Sequence, residues 1–351
     1  MLAGALMTLL LACPISTGTS PNDNPVEMSP EMKQFVSTKV DSGLTPMQRL
    51  QSLVTAIFQN KELNFTYSTI SRSATETFEK RNGNCLSFTL LFISMARYLH
   101  LDARFCEVKV SPAFSKSGEF VILNQHLRPV VFISGEIYAV DIFPQIVPMG
   151  LDGQIVSDER GLAHFYSNKG VDELGNGNYK LAEEYFNRAI TADPTMVGAL
   201  INLGTARSRQ GKLDEAEGYF RKALELNPKS QAAMSNLATI CAVSGRTQEA
   251  LRLKVKIQSF LEKNPYYHFN LGMQAFQQGN YDEALARYKR AIKLNSTDHN
   301  FYFAIARMYA QIGKIKQVVS NLQLAQKYAY DPDNKLKYAQ KLELIKEDSS
   351  Q

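Results

Sequence analysis

The sequence predicts two architectures in series, an α+β domain followed by an all-α array of helical hairpins. Three observations predict this. Strand-like, period-2 segments fall only between residues 104 and 143, glycines at 177, 211, 245, 279 and 313 recur every 34 residues, and an apolar helical segment precedes the strands. A chain of 351 residues, 44% hydrophobic and 21% charged, suits a globular protein of about two domains. Its 39 basic and 34 acidic residues form no block of like charge, which excludes a nucleic-acid footprint. The expected segments are a signal-like run and tether (1–32), the α+β domain (33–160), five hairpins (161–330), and a capping helix with its tail (331–351).

At the N-terminus, Leu2 to Ala12 is apolar apart from Thr8 and too short to span a bilayer as a helix. It resembles a signal-peptide h-region, and Leu10-Leu11-Ala12-Cys13 resembles the lipobox of bacterial lipoproteins. That resemblance implies acylation of Cys13 and a lipid-anchored or periplasmic place at a bacterial envelope, with membrane contact only through the anchor. The alternative is a frayed N-terminus on a cytoplasmic protein. The following Pro- and Ser-rich stretch reads as a flexible tether. With Cys13 acylated, Cys85, Cys106 and Cys241 are an odd number at unrelated spacings, so neither a disulfide framework nor a metal cluster is expected. His100, His164, His268 and His299 lack metal-ligand spacing and receive no chemistry; no cofactor is expected.

In the α+β domain, the turn Asn82-Gly83-Asn84 leads into Cys85 and a segment to His100 whose apolar spacing suits an amphipathic helix. A thiol at a helix N-terminus meets free N–H groups and the positive end of the dipole, which favour the thiolate. Strands are expected at 104–110, 119–124, 126–134 and 136–143, the last two joined by a two-residue turn at Ser134-Gly135. Pairing Ile133 with Glu136 sets Arg128 opposite Asp141 and makes His126 a diagonal neighbour of Asp141. Pro129 hints at a bulge or an edge strand. A cysteine at a helix start, then a histidine and an aspartate on adjacent strands, supplies nucleophile, base and orienting carboxylate. Cys106, beside Phe105 on a strand, and Cys241, inside a repeat helix, read as packed sulfurs.

Gly83-Asn84-Cys85 with its apolar helix, the lead-in Phe65 to Asn84, the stretch Leu101 to Phe105, His126, and Tyr138 to Pro144 together resemble the transglutaminase-like superfamily of papain-type folds, over roughly residues 47–144. The resemblance implies catalysis by Cys85, His126 and Asp141. The chain has no tryptophan, so the oxyanion donor that Trp supplies in the family falls to Asn64 or Tyr67.

In the C-terminal half, small residues recur seven before each periodic glycine (Gly170, Gly204, Ala238, Gly272, Ala306) and aromatic or apolar ones nine after (Phe186, Phe220, Tyr288, Leu322), with Lys254 the exception. Two amphipathic helices thus cross at a small residue and turn at a glycine. The 34-residue period is that of the tetratricopeptide repeat, which the array resembles over about 163–327. Gly211 to Ser230 is its clearest copy and Gly245 to Asn264 its weakest. Residues 331–348 read as the capping helix. Such arrays bind peptides or proteins, and Asn168, Asn202, Asn236 and Asn270 hold a position that in the family faces the groove; retention by the scaffold explains them equally well. The expected function is a cysteine-dependent amide hydrolase or acyl-transferase recruited to a protein partner. The alternative is a non-enzymatic assembly protein with a catalytically silent domain.

Overall fold

The computed structural model describes residues 24–59, 63–108, 113–117, 120–124, 127–140, 146–148, 153–329 and 332–348. Cys13, His126 and Asp141 lie outside the described residues. The chain forms two compact units that divide between Asn227 and Pro228, so the first two hairpins go with the α+β domain.

In the first unit, α1 (Pro30–Lys39) and α2 (Pro46–Val54) each start with proline behind a capping hydroxyl, Ser29 and Thr45. The short strands β1 (Thr66–Tyr67) and β2 (Asn82–Gly83) pair in parallel around α3 (Ala74–Lys80). Next comes α4 (Cys85–Tyr98), in which every residue from Leu86 to Ala96 is buried. The expected amphipathic helix is therefore corrected to one buried on every face. Its polar residues bond backbone instead of water: Ser94 Oγ donates to the Leu90 and Val26 carbonyls, 2.7 and 2.8 Å away.

The sheet is antiparallel, built from β3 (Asp102–Val108), β6 (Leu127–Ile133), β7 (Glu136–Val140), β8 (Ile146–Pro148) and β9 (Gly153–Val156) in the order β8-β7-β6-β3-β9. A separate hairpin joins β4 (Ala113–Ser117) and β5 (Phe120–Asn124). Ile133 pairs with Glu136 as the turn chemistry requires, and Ser134 and Gly135 both take positive φ, 52° and 90°. Pro129 does not mark an edge: β6 is central, with Pro129 opposite Phe105, and the β6–β7 ladder begins one residue later at Val130. One core joins Met32 and Val36 of α1, Leu50 of α2, most of α4, Phe105, Val131 and Val140 of the sheet, and Phe165 of the first repeat helix.

The hairpins of the first unit are α5 (Asp158–Gly175) with α6 (Tyr179–Ala192), and α7 (Val197–Arg209) with α8 (Leu213–Leu226). The second unit holds α9 (Gln231–Val243), α10 (Thr247–Leu261), α11 (Pro265–Gln277), α12 (Tyr281–Leu294), α13 (His299–Gln311), α14 (Ile315–Tyr328) and α15 (Pro332–Asp348). All five periodic glycines have φ between 70° and 80°, a conformation that penalises a Cβ. Tyr338 of α15 is buried against the last hairpin, its hydroxyl 2.8 Å from His299 Nδ1. The weak repeat is weakly packed as well: Ala250 is the buried residue of α10, while Leu251 and Val255 are 55% and 70% exposed.

Candidate functional site

Local chemistry fixes Cys85 at the first position of α4. Arg81 leaves α3 in the left-handed region and turns the chain into β2. A Cβ on Gly83 would stand 2.5 Å from Ser87 Cβ, so this approach to the helix requires glycine. Asn84 is the N-cap: its Oδ1 accepts from the Ser87 N–H and the Ser87 hydroxyl, both at 3.0 Å, and its Nδ2 donates to Ser71 Oγ at 2.8 Å. The thiol is half-buried at the positive end of the helix dipole. The Thr89 hydroxyl lies 2.9 Å from the Cys85 carbonyl and 3.2 Å from that of Leu127, tying the start of α4 to the start of β6.

Cys85 opens into a cavity of about 330 Å³, and the first repeat helix forms part of its wall. Tyr67, Asn84 and Leu127 line it from the α+β domain; His164, Asn168, Val171 and Asp172 line it from α5. These four fall at i, i+4, i+7 and i+8, one face of a helix. His164 is buried, with Nε2 2.5 Å from Glu107 Oε1 on β3, and Arg160 Nε donates to the same oxygen at 2.7 Å. Asp172 Oδ2 accepts the Ser71 N–H at 3.0 Å; burial pushes its carboxyl up to about 6, against the pull of that N–H and of Lys169. Partial desolvation at the cavity wall and then the adjacent Cys85 push the Tyr67 phenol up, although the residue is still 67% exposed.

Of the residues singled out in the sequence, the structure brings Cys85, Tyr67 and Asn168 to this cavity. Asn64 is exposed in a left-handed turn, away from the lining. The amide ladder is corrected. Asn202 and Asn236 are fully buried, and Asn202 Nδ2 donates to Ser167 Oγ at 3.3 Å, so it holds α7 against α5; β5 also runs alongside α7. Asn270 is exposed on α11. Cys106 and Cys241 are buried thiols. His164, to which the sequence assigns no chemistry, lines this cavity, and so does Asp172, which the sequence reading does not single out; repeat phase marks both, since their counterparts are Gly198, Ala232, Tyr266 and Asn300, and Ala206, Ile240, Gln274 and Met308. Neither position holds a carboxylate or an imidazole in the other four units. Among the described residues, no group of His, Cys, Asp and Glu could hold a metal ion.

A thiol at the first turn of a buried helix, packed on an antiparallel sheet and walled by a helical hairpin, defines an α+β cysteine-bearing domain joined to a repeat array. Residues 33–139 match the transglutaminase-like superfamily, and residues 162–196, 197–230 and 272–313 match tetratricopeptide repeat families. The chain thus carries a transglutaminase-like domain followed by tetratricopeptide repeats. No curated protein matches it at a significant level. Similar solved structures include MamA from Desulfovibrio magneticus (16% identity, TM-score 0.28, covering 49% of this chain and 96% of that one). A tetratricopeptide protein of Thermus thermophilus is similar at 20% identity and TM-score 0.27, covering 51% and 97%. PilF of Pseudomonas aeruginosa is similar at 17% identity and TM-score 0.29, covering 55% and 88%.

Proposed function

We propose that the chain is a cysteine-dependent amide hydrolase or acyl-transferase of a bacterial envelope, anchored through Cys13 and recruited to a protein partner by its repeats. The observation that supports the chemistry is Cys85 at the dipole end of α4, opening into a cavity of substrate size. In this reading Cys85 attacks an amide carbonyl, His126 takes the thiol proton and returns it to the leaving amine, and Asp141 orients the imidazole. Leu127, next in sequence to His126, lines the cavity. A second reading of the base has its own observation, since His164 lines the same cavity and is oriented by Glu107.

Rate measurements with iodoacetamide on the full chain test both. Cys85 should alkylate at least about tenfold faster at neutral pH than in the unfolded chain, because thiolate character sets the rate. Loss of that advantage in His126→Ala assigns the base to His126, and loss in His164→Ala assigns it to His164. Equal rates in folded and unfolded chains would end the catalytic reading. The protein should also sediment with membranes and be released by Cys13→Ser; unprocessed soluble protein in both forms would end the anchor.

For the partner, the second unit offers a cavity of about 220 Å³ lined by Phe269, Met273 and Phe276 of α11 and by Asn300, Phe303 and Arg307 of α13. The Arg307 guanidinium lies 5.9 Å from the centroid of the Phe276 ring. Aromatic walls with one cation suit a peptide that places an apolar side chain beside an acidic one. Arg307→Glu should cut peptide or protein retention on the immobilised chain by at least about fivefold, with thermal stability unchanged. Unchanged retention would remove this cavity from the partner site.

A further inference from the structure

The wall that α5 gives the Cys85 cavity has a charge that the proposed chemistry does not use. Among the described residues lining the cavity, Asp172 is the carboxylate and His164 the one basic side chain, and His164 is committed to Glu107. The neighbouring cation, Lys169, places its ammonium over the Tyr185 ring at 5.9 Å. Asp172 is itself held in place, since Oδ2 accepts the Ser71 N–H at 3.0 Å. Burial weakens its acidity without abolishing it: a carboxyl near 6 is still mostly ionised at neutral pH. A desolvated carboxylate of this kind is costly until a positive group joins it. The repeat fold does not require a carboxylate here, because the same repeat position is Ala206, Ile240, Gln274 and Met308 elsewhere, and the bond to the Ser71 N–H needs an acceptor but no charge.

We propose that Asp172, on the first repeat helix, is the specificity-determining group of the Cys85 site, and that the substrate carries a cationic group, ammonium or guanidinium, beside the amide under attack. Asn168, one turn earlier on the same stripe, offers the amide that positions it. The proposal rests on the reading of Cys85 as the nucleophile, and the test separates the two.

Three methanethiosulfonates report the approach to Cys85 in the full chain: methyl (neutral), 2-aminoethyl (cationic) and 2-sulfonatoethyl (anionic). In each, the Cys85 thiolate attacks the sulfenyl sulfur, a new S–S bond forms and methanesulfinate leaves, so charge preference is isolated from chemistry. The cationic-to-anionic rate ratio at Cys85, normalised to the urea-unfolded chain, should be about tenfold in the wild type, as one unscreened charge implies. Asp172→Asn keeps an acceptor for the Ser71 N–H but removes the charge, and should bring the ratio near unity while the neutral reagent's rate stays within about twofold. Asn168→Asp, which adds a second carboxylate to the stripe, should raise the ratio. An equal ratio in the wild type and Asp172→Asn, or no rise in Asn168→Asp, overturns the proposal. A neutral reagent that labels folded Cys85 no faster than the unfolded chain overturns the nucleophile instead, leaving the charge ratio to judge Asp172.

Discussion

Replacing Glu107 by Gln is expected to destabilise the first unit by about 3 kcal/mol at neutral pH. Glu107 sits on β3, its Oε1 shared by His164 Nε2 at 2.5 Å and Arg160 Nε at 2.7 Å, while Arg160 also donates to Asp193 Oδ2 at 2.9 Å. These four side chains are only 2% to 21% exposed and join the sheet to α5 and to the end of α6. Burial alone would push the Glu107 carboxyl up, but hydrogen bonds from His164 and Arg160, with their charges, bring it down to about 2. A carboxyl depressed from about 4.3 in the unfolded chain contributes stability that is fully present above about pH 4.3 and is lost as pH falls towards 2. Folding on carboxylate pairs predicts a steep acid limb in the wild type across that window and a shallower one in Glu107→Gln. Urea unfolding followed by circular dichroism, at neutral pH and near pH 3, measures both. A neutral-pH difference below about 0.5 kcal/mol, or one that does not narrow in acid, would show that the network adds nothing beyond its packing.

Periodicity made legible what depends on local geometry. The 34-residue spacing located five positive-φ glycines, Ser134-Gly135 set the register of β6 on β7, and the Asn82-Gly83-Asn84 turn placed Cys85 at the first residue of α4. What stayed hidden depends on which surfaces meet. Ser87, Thr89 and Ser94 interrupt the apolar run of α4, yet each bonds within the fold, so the helix is covered on all sides. Repeat phase shows that Asn168 and Asn202 occupy equivalent helix positions, but not that one lines a cavity while the other is sealed between helices. His164 and Asp172 were readable only as departures from phase, because a repeat pattern draws attention to what recurs rather than to what one unit alone contains.

The hairpin interiors lead to a sharper expectation, that Gly204→Ala costs about 2 kcal/mol even though alanine is the better helix former by about 1 kcal/mol. A Cβ on Gly204 would stand 2.7 Å from Cε1 of Phe220, and that ring is fully buried between α7 and α8. Gly170 and Gly272 meet Phe186 and Tyr288 in the same way, at 2.5 and 2.6 Å. Where the residue sixteen further on is not aromatic, the small residue is alanine instead: Ala238 precedes Lys254 and Ala306 precedes Leu322 at the same offset as Gly204 and Phe220. Glycine is therefore tied to the ring opposite it rather than to the helix that contains it. The double variant Gly204→Ala with Phe220→Leu recreates the last hairpin's pairing and should be more stable than the sum of the single losses by about 1–2 kcal/mol. Phe220→Leu alone should cost about 1 kcal/mol, from the space it leaves. A double-mutant cycle by urea unfolding decides the matter. Simple additivity would mean that the backbone of α7 shifts to admit the methyl, and that the glycine–aromatic pairing along the array reflects something other than steric fit.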